Sequence, residues 1–256
     1  MKIIDIVALK GGVGKTTTAV NMAYILGIDY NKKVLVVDND KQGNLSKSFR
    51  QYNDDDEQTI SRVLQGKSFD VHEVIKSTIY EQIDIITANT GMIRSCLELS
   101  MNQSIPQQLC FKNIFVQLEN EYDYLIIDNA PDVDIAVVNS LVCADEIIIP
   151  IMIDQYALTG LAILMEQIEL VKKYFNPNVN VKGLITAYKK DECVDEQISK
   201  LRENELEIFE TRIKRTESKV IESTFAGTPV VEVSKRCGAS RSYRSFVEEF
   251  LRKEVE

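Results

Sequence analysis

The chain has one histidine, five cysteines and five prolines among 256 residues. With His72 as the only histidine, histidine-based acid–base catalysis and zinc ligation have almost nothing to work with. Cys96, Cys110, Cys143, Cys193 and Cys237 are odd in number, far apart and without a C-x-x-C pair. That pattern argues against a disulfide framework and fits reduced, mostly structural thiols. No apolar run approaches the length of a membrane span, and Lys2 leads directly into a strand-like segment. Neither a spanning helix nor a signal peptide is expected, and the cytoplasm is the expected compartment. Repeats, low-complexity tracts and Pro/Gly/Ser-rich linkers are missing too. Basic residues are outnumbered, 30 against 39 acidic, for a formal charge of −9. Taken globally, that balance opposes binding to nucleic acid.

What is present reads as one α/β domain over residues 1–256. Hydrophobic residues make up 45% of the chain, with a mean hydropathy of −0.12, enough for a large single core. Apolar strand-like runs recur at 3–9, 33–38, 83–88, 124–128, 146–151 and 180–186. They are continuous rather than alternating, as in strands covered on both faces, so a mainly parallel, doubly wound sheet with helices on both faces is expected. Helical spacing appears over Thr17 to Leu26, Gln58 to Leu64, 106–120, 132–143, 157–174, 194–206 and 240–253. In the last of these Phe246, Val247, Phe250 and Leu251 share one face. The acidic run Asp54-Asp55-Asp56-Glu57 reads as a solvated loop ahead of a helix.

Between the first strand and the first helix stands Lys10-Gly11-Gly12-Val13-Gly14-Lys15-Thr16-Thr17-Thr18. A triphosphate needs many donors converging on its oxygens with no side chains in the way. Gly11, Gly12 and Gly14 let the backbone curl so that successive N–H groups, including that of Val13, point inward, and the helix opening near Lys15 adds the positive end of its dipole. Lys15 suits the β and γ phosphates, the Thr16 hydroxyl suits Mg²⁺, and Thr17 suits the α-phosphate. A dinucleotide-binding G-x-G-x-x-G would need glycine where Thr17 stands. The common G-x-x-x-x-G-K-[ST] pattern is not met either, because Leu9 holds its first glycine position and a second lysine, Lys10, sits inside the loop. Asp40 and Asp128 follow apolar runs, which places both at the carboxyl edge of a parallel sheet with the loop.

With its second lysine this segment resembles K-G-G-x-G-K-[ST]-T, the signature of the ParA/MinD group of deviant Walker A P-loop NTPases. Asp38-Asn39-Asp40-Lys41-Gln42-Gly43-Asn44-Leu45-Ser46 resembles the ParA pattern D-x-D-P-Q-G-N-x-[ST], with Lys41 in place of proline. Tyr122 to Pro131 resembles its Walker B stretch, and Ala226-Gly227-Thr228-Pro229-Val230 and Gly238-Ala239-Ser240 with Tyr243 resemble its C-terminal part. The resemblance implies slow, switch-like hydrolysis of ATP with Mg²⁺. It implies that Lys10 crosses a homodimer interface to the partner's phosphates, that Gly12 lies where the subunits approach, and that Asp40 positions the attacking water. Asp128 would hold Mg²⁺ through its water shell, with Asp38 as a further candidate on the metal side. Base contacts are implied for the segment after Val181 to Thr186 and for Ile213-Lys214-Arg215, where the family reads I-P-R.

The family also implies nonspecific DNA binding by the ATP dimer, a nucleoid location, and a ParB-like or other small activator, in plasmid or chromosome partition. Local charge agrees: from Arg212 to Arg244 eight basic residues face three acidic ones, and a patch, not a basic protein, is what phosphates require. Lys235, Arg236, Arg241 and Arg244 are the candidate contacts. No base-reading element is evident. A MinD-like membrane positioner would need a cationic amphipathic tail, and the segment after Val247 is too acidic for one. An electron-transferring relative would need cluster-holding cysteines, and none follows Asp128 before Cys143. The same switch could also position a cargo other than DNA.

Overall fold

The computed structural model describes residues 1–154, 157–203 and 206–254, with the side chains of residues 157 and 158 left aside. Eight strands form one sheet: β1 (Lys2–Ile6), β2 (Val34–Asn39), β3 (Ile75–Ser77), β4 (Ile83–Ile86), β5 (Tyr124–Asn129), β6 (Glu146–Ile151), β7 (Asn180–Ile185) and β8 (Glu207–Ile208). Their order is β3-β4-β2-β5-β1-β6-β7-β8. Every neighbouring pair is parallel except β3 and β4. The helices are α1 (Lys15–Tyr24), α2 (Asn44–Ser48), α3 (Ile60–Leu64), α4 (Gly91–Met101), α5 (Cys110–Phe115), α6 (Ile135–Cys143), α7 (Ala157–Tyr174), α8 (Glu192–Glu203), α9 (Glu217–Ala226), α10 (Val230–Val233) and α11 (Gly238–Lys253).

Period-two alternation explains the continuous apolar runs. Val34 and Val36 of β2 pack with α1 and α11, against Met22, Ile25, Phe246 and Phe250. Leu35 and Val37 face the other way, onto α3, α4 and α5 through Val63, Met92 and Phe111. Both faces are thus buried, so each strand must be apolar at every position. The sheet is doubly wound, as the sequence predicts.

Three expectations change in detail. The segment 106–120 is not one helix but a 3₁₀ turn at Gln107–Leu109, then α5, then a second 3₁₀ turn at Val116–Leu118. Asn139 of α6 interrupts it: its amide donates to Gln107 O at 2.8 Å and accepts from Phe111 N at 3.2 Å, replacing bonds a continuous helix would make. The helix expected from 132 starts at Ile135 because the Asp134 carboxylate accepts from Ala136 N and Val137 N. The segment expected over 194–206 is helical as Glu192–Glu203, and residues 204 and 205 lie outside those described. Strands β3 and β8 are too short to have produced a pattern.

Candidate functional site

β1, β2 and β5 end side by side, with Ile6 and Asp38 both in register with Asp128, and Asn39 with Asn129. The glycine loop leaves β1 at this edge and turns into α1. Gly12 and Gly14 take φ of 74° and 94°, which a side chain would strain. A Cβ on Gly11 or Gly12 would meet nothing within 4 Å, so these two positions are bare toward the outside of the loop. Thr186, just past β7, donates to Val13 O at 2.7 Å and ties the loop to the neighbouring strand.

Lys15 is only 8% exposed. Its ammonium lies on backbone carbonyls of its own loop, Ala8 O at 3.1 Å and Lys10 O at 3.4 Å. Burial lowers its pKa, while Asp128 and Asp40 pull it back up. Asp128 is buried, and burial, with the nearby Asp38 charge, holds its pKa well above the usual carboxylate range, against the pull of Thr16 and Lys15. Its Oδ1 has no hydrogen-bond partner among the described residues. A buried, unpartnered carboxylate oxygen beside a threonine hydroxyl and the loop lysine is a donor set that suits a hydrated Mg²⁺ carried by phosphates.

Asp40 stands at the turn after β2, 7% exposed, with its Oδ1 accepting from Gln42 N at 2.9 Å. Asp38, the further candidate on the metal side, lies near Asp128 and is itself hydrogen-bonded. Both of its oxygens are taken: Oδ2 accepts from Ser46 N and Ser46 Oγ at 2.7 Å each, and Oδ1 from Asp40 N at 3.2 Å. It shapes the Asp40 turn and the start of α2, and burial pushes its pKa up to about 7. Lys10 is paired with Asp154, beyond the end of β6. Asp154 escaped the sequence reading, although it follows an apolar strand as Asp40 does.

A cavity of about 350 Å³ adjoins the loop, lined among others by Thr17, Met152, Ala187, Ile213 and Lys214. The two segments expected around a base therefore meet there, joined by Tyr188 N to Ile213 O at 2.8 Å and Arg215 N to Tyr188 O at 3.0 Å. Ala187 holds a left-handed φ of 48° at its edge. A larger hollow, about 1000 Å³, lies over α3 and α4 and is lined by the Asp54–Glu57 run and no loop residue. Its size reflects an open polar groove, whereas the smaller cavity is the one that takes in Gly12, Val13, Gly14 and Thr17 of the glycine loop.

Of the four basic candidates, Lys235, Arg236 and Arg241 are exposed and have no ion pair among the described residues. Arg244 departs from the expectation: it is partly buried and bonded to Asp29 at 2.9 Å and to Val231 O at 3.4 Å. Arg212, Arg215 and Lys219 are likewise paired, with Asp195, Glu217 and Glu222.

A family model described as an AAA domain matches residues 1–181. The sporulation initiation inhibitor protein Soj of Bacillus subtilis is 35% identical over 184 residues, 72% of this chain and 71% of that protein. The chromosome partitioning protein ParA of Caulobacter vibrioides is 28% identical over 259 residues, 99% of this chain and 95% of that protein. Among solved structures, a cobyrinic acid a,c-diamide synthase from Mycobacterium smegmatis with bound ATP analog and magnesium superposes with a TM-score of 0.85 at 23% identity, covering 100% of this chain and 96% of that one. Among the described residues no helix is long and apolar enough to cross a membrane.

Proposed function

The chain belongs to the ParA family of partition ATPases, and from that premise we propose that it is an ATP-driven switch acting on DNA. ATP with Mg²⁺ is taken up by the single 1–256 domain, two loaded copies form a dimer, the dimer holds nonspecific DNA, and an activator protein stimulates hydrolysis to release it. Plasmid or chromosome partition is the process, on the nucleoid. The observation that carries this reading is the unpartnered Asp128 Oδ1, buried next to Thr16 and Lys15 of the glycine loop.

Each side chain then has a task. Lys15 leaves the Ala8 and Lys10 carbonyls for phosphate oxygens, and the N–H groups of residues 11–17 supply the remaining donors. Asp128, through a water, and Thr16 would hold Mg²⁺, which when bound would screen charge on the phosphate oxygens. Asp40 orients the attacking water. Asp38, with its oxygens already engaged, supports Asp40 rather than the metal. Lys10 must release Asp154 before it can reach a partner's phosphates, which makes its pairing part of the monomer's resting state. The base lies between the Ala187 and Lys214 segments. Lys235, Arg236 and Arg241 meet DNA phosphates, and Arg244 stays with Asp29. Likeness to the diamide synthase at 23% identity is one of fold and brings no amide-forming chemistry with it.

The test is retardation of nonspecific DNA by the protein with ATP and Mg²⁺ against the same protein with ADP, alongside ATP-dependent dimer formation by Asp40→Ala. ATP-specific retardation and a persistent Asp40→Ala dimer are expected. Loss of both removes the basis of the partition reading.

A further inference from the structure

On the sheet face opposite Asp38 and Asp128 lies a group of polar side chains that the phosphate chemistry does not use. Asn39 Nδ2 donates to Asn129 Oδ1 at 2.7 Å. Asn129 Nδ2 donates in turn to Asp5 Oδ1 at 2.5 Å and to Ile6 O at 3.2 Å. The Ser140 hydroxyl of α6 sits 2.9 Å from Asn129 Oδ1. All four residues are 1% exposed or less. The group is only partly satisfied, since Asp5 Oδ2 and Asn39 Oδ1 have no partner among the described residues.

Such an arrangement costs stability. Amides and a carboxyl are withdrawn from water beside Val37, Ile127 and Ala136 of the core, and apolar residues of similar volume at such sites are often as stable or more so. Fold stability therefore does not account for it. Position does. Asn129 is the last residue of β5, its partner Asn39 the last of β2, and Ile6 the last of β1. The side-chain bonds continue the cross-strand ties at the edge where backbone pairing runs out, Ala130 N to Asn39 O at 3.3 Å being the next bond outward between β2 and β5. The three strand ends that are joined are those leading to the glycine loop, to Asp40 and to Asp128.

We propose that Asn129, bonded to Asn39 on one side and to Asp5 and the Ile6 carbonyl on the other, is a positioning residue that fixes the spacing of Lys15, Asp40 and Asp128 for a Mg²⁺-bound nucleotide. This rests on the nucleotide-binding reading above. Asn129 touches neither phosphate nor metal; it acts through the three backbones, where a displacement of about 1 Å is worth on the order of a hundredfold in a preorganised site.

The deciding variant replaces the network by apolar side chains, Asp5→Val with Asn39→Val and Asn129→Val, and Asp5→Asn serves as the conservative control. Two quantities are read: the thermal midpoint without nucleotide, and the factor by which Mg²⁺ tightens binding of a nonhydrolysable ATP analogue in a fluorescence titration. The triple variant is expected to melt at or above the wild-type temperature and to lose about tenfold or more of the Mg²⁺ effect, with Asp5→Asn close to wild type. A triple variant that keeps the full Mg²⁺ effect, whatever its midpoint, overturns the proposal and leaves the network a matter of packing. Should overpacking prevent the triple variant from folding, Asn129→Ala is read in the same way, and retention of the Mg²⁺ effect there overturns it equally. A wild-type protein that binds no nucleotide is a different outcome: it removes the nucleotide reading, and this role with it.

Discussion

Replacing Asp5 by asparagine is expected to flatten a fall in stability between about pH 5 and about pH 8. Asp5 is fully buried, and burial raises its pKa to about 7 against the opposing hydrogen bonds from Asn129 and Ser140. In the unfolded chain the same carboxyl titrates at about 3.9. Across the window between these values the folded protein keeps a proton that the unfolded chain has released. Its stabilising effect is therefore complete at low pH and is lost as pH rises through 7. The whole effect is about 4 kcal/mol, of which about 2.5 kcal/mol falls between pH 5 and pH 8. Asparagine resembles the protonated acid, offering its carbonyl to Asn129 without a charge to ionise. Asp38, also raised to about 7, and Asp128, raised well above the usual carboxylate range, have the same sign and remain in the variant, so the slope should fall in part rather than vanish. Urea unfolding without nucleotide or divalent cation, at several pH values, measures the difference between variant and wild type. A difference that does not change with pH would refute the reasoning, since Asp5 would then titrate alike in both states.

Lys15→Ala should weaken nucleotide binding about a hundredfold or more through the loss of charge-assisted bonds to phosphate, whereas Lys10→Ala should bind almost normally and fail to dimerise or hydrolyse. Titration and size-exclusion runs with ATP separate the two, and equal behaviour contradicts the assigned roles. Gly11→Ala should change stability by no more than about 0.5 kcal/mol yet reduce nucleotide affinity, because its Cβ meets no protein atom. Gly43→Ala should do the reverse, its φ of 63° being strained and its Cβ falling onto the Tyr52 ring; thermal melts and nucleotide titrations distinguish them. Removing Lys235, Arg236 and Arg241 together should lower the salt slope of DNA binding by about 0.9 for each phosphate no longer neutralised. Arg244→Ala should leave that slope unchanged and lower the melting temperature through loss of its Asp29 pair. A lower slope in Arg244→Ala would return that residue to the DNA surface.

Legibility followed from how local the cause was. The glycine loop and its helix could be read because the residues that shape the turn are those that would meet phosphate. Strands such as Val34 to Val37 were visible because burial on both faces forces apolar residues at every position. Asp40 and Asp128 stood out as carboxylates following such runs. Where long-range contact decides, the sequence was silent. Asn139 breaks the 106–120 helix from a distance of about thirty positions. Asp38 and Asp40 share a motif, yet Ser46 engages one and leaves the other at the site edge. Arg244 belongs to a basic stretch by composition and to an ion pair with Asp29 by packing. Asn39 and Asn129, ninety positions apart, are brought together only by the strand register.

The costly features of this fold are concentrated at one edge. Asp5, Asp38, Asp128, Asn39, Asn129 and Lys15 are all 8% exposed or less, and burial raises the acids while lowering the lysine. Elsewhere the buried strand positions are mostly aliphatic, as stability alone selects, and the buried Glu146 at the start of β6 is ion-paired with Lys2 and Lys182. Lys15 counters both Asp128 and Asp40 there, and in the isolated chain it rests on the neutral carbonyls of Ala8 and Lys10. A further cation close to Asp128 would favour its ionised form against burial, and the ammonium is placed to exchange weak neutral acceptors for strong anionic ones. A Mg²⁺-bound triphosphate brings both at once. The loop glycines alone are a common phosphate cradle; under the role proposed for Asn129, the partly satisfied polar edge behind them would let the site discriminate the metal-bound nucleotide from the bare one.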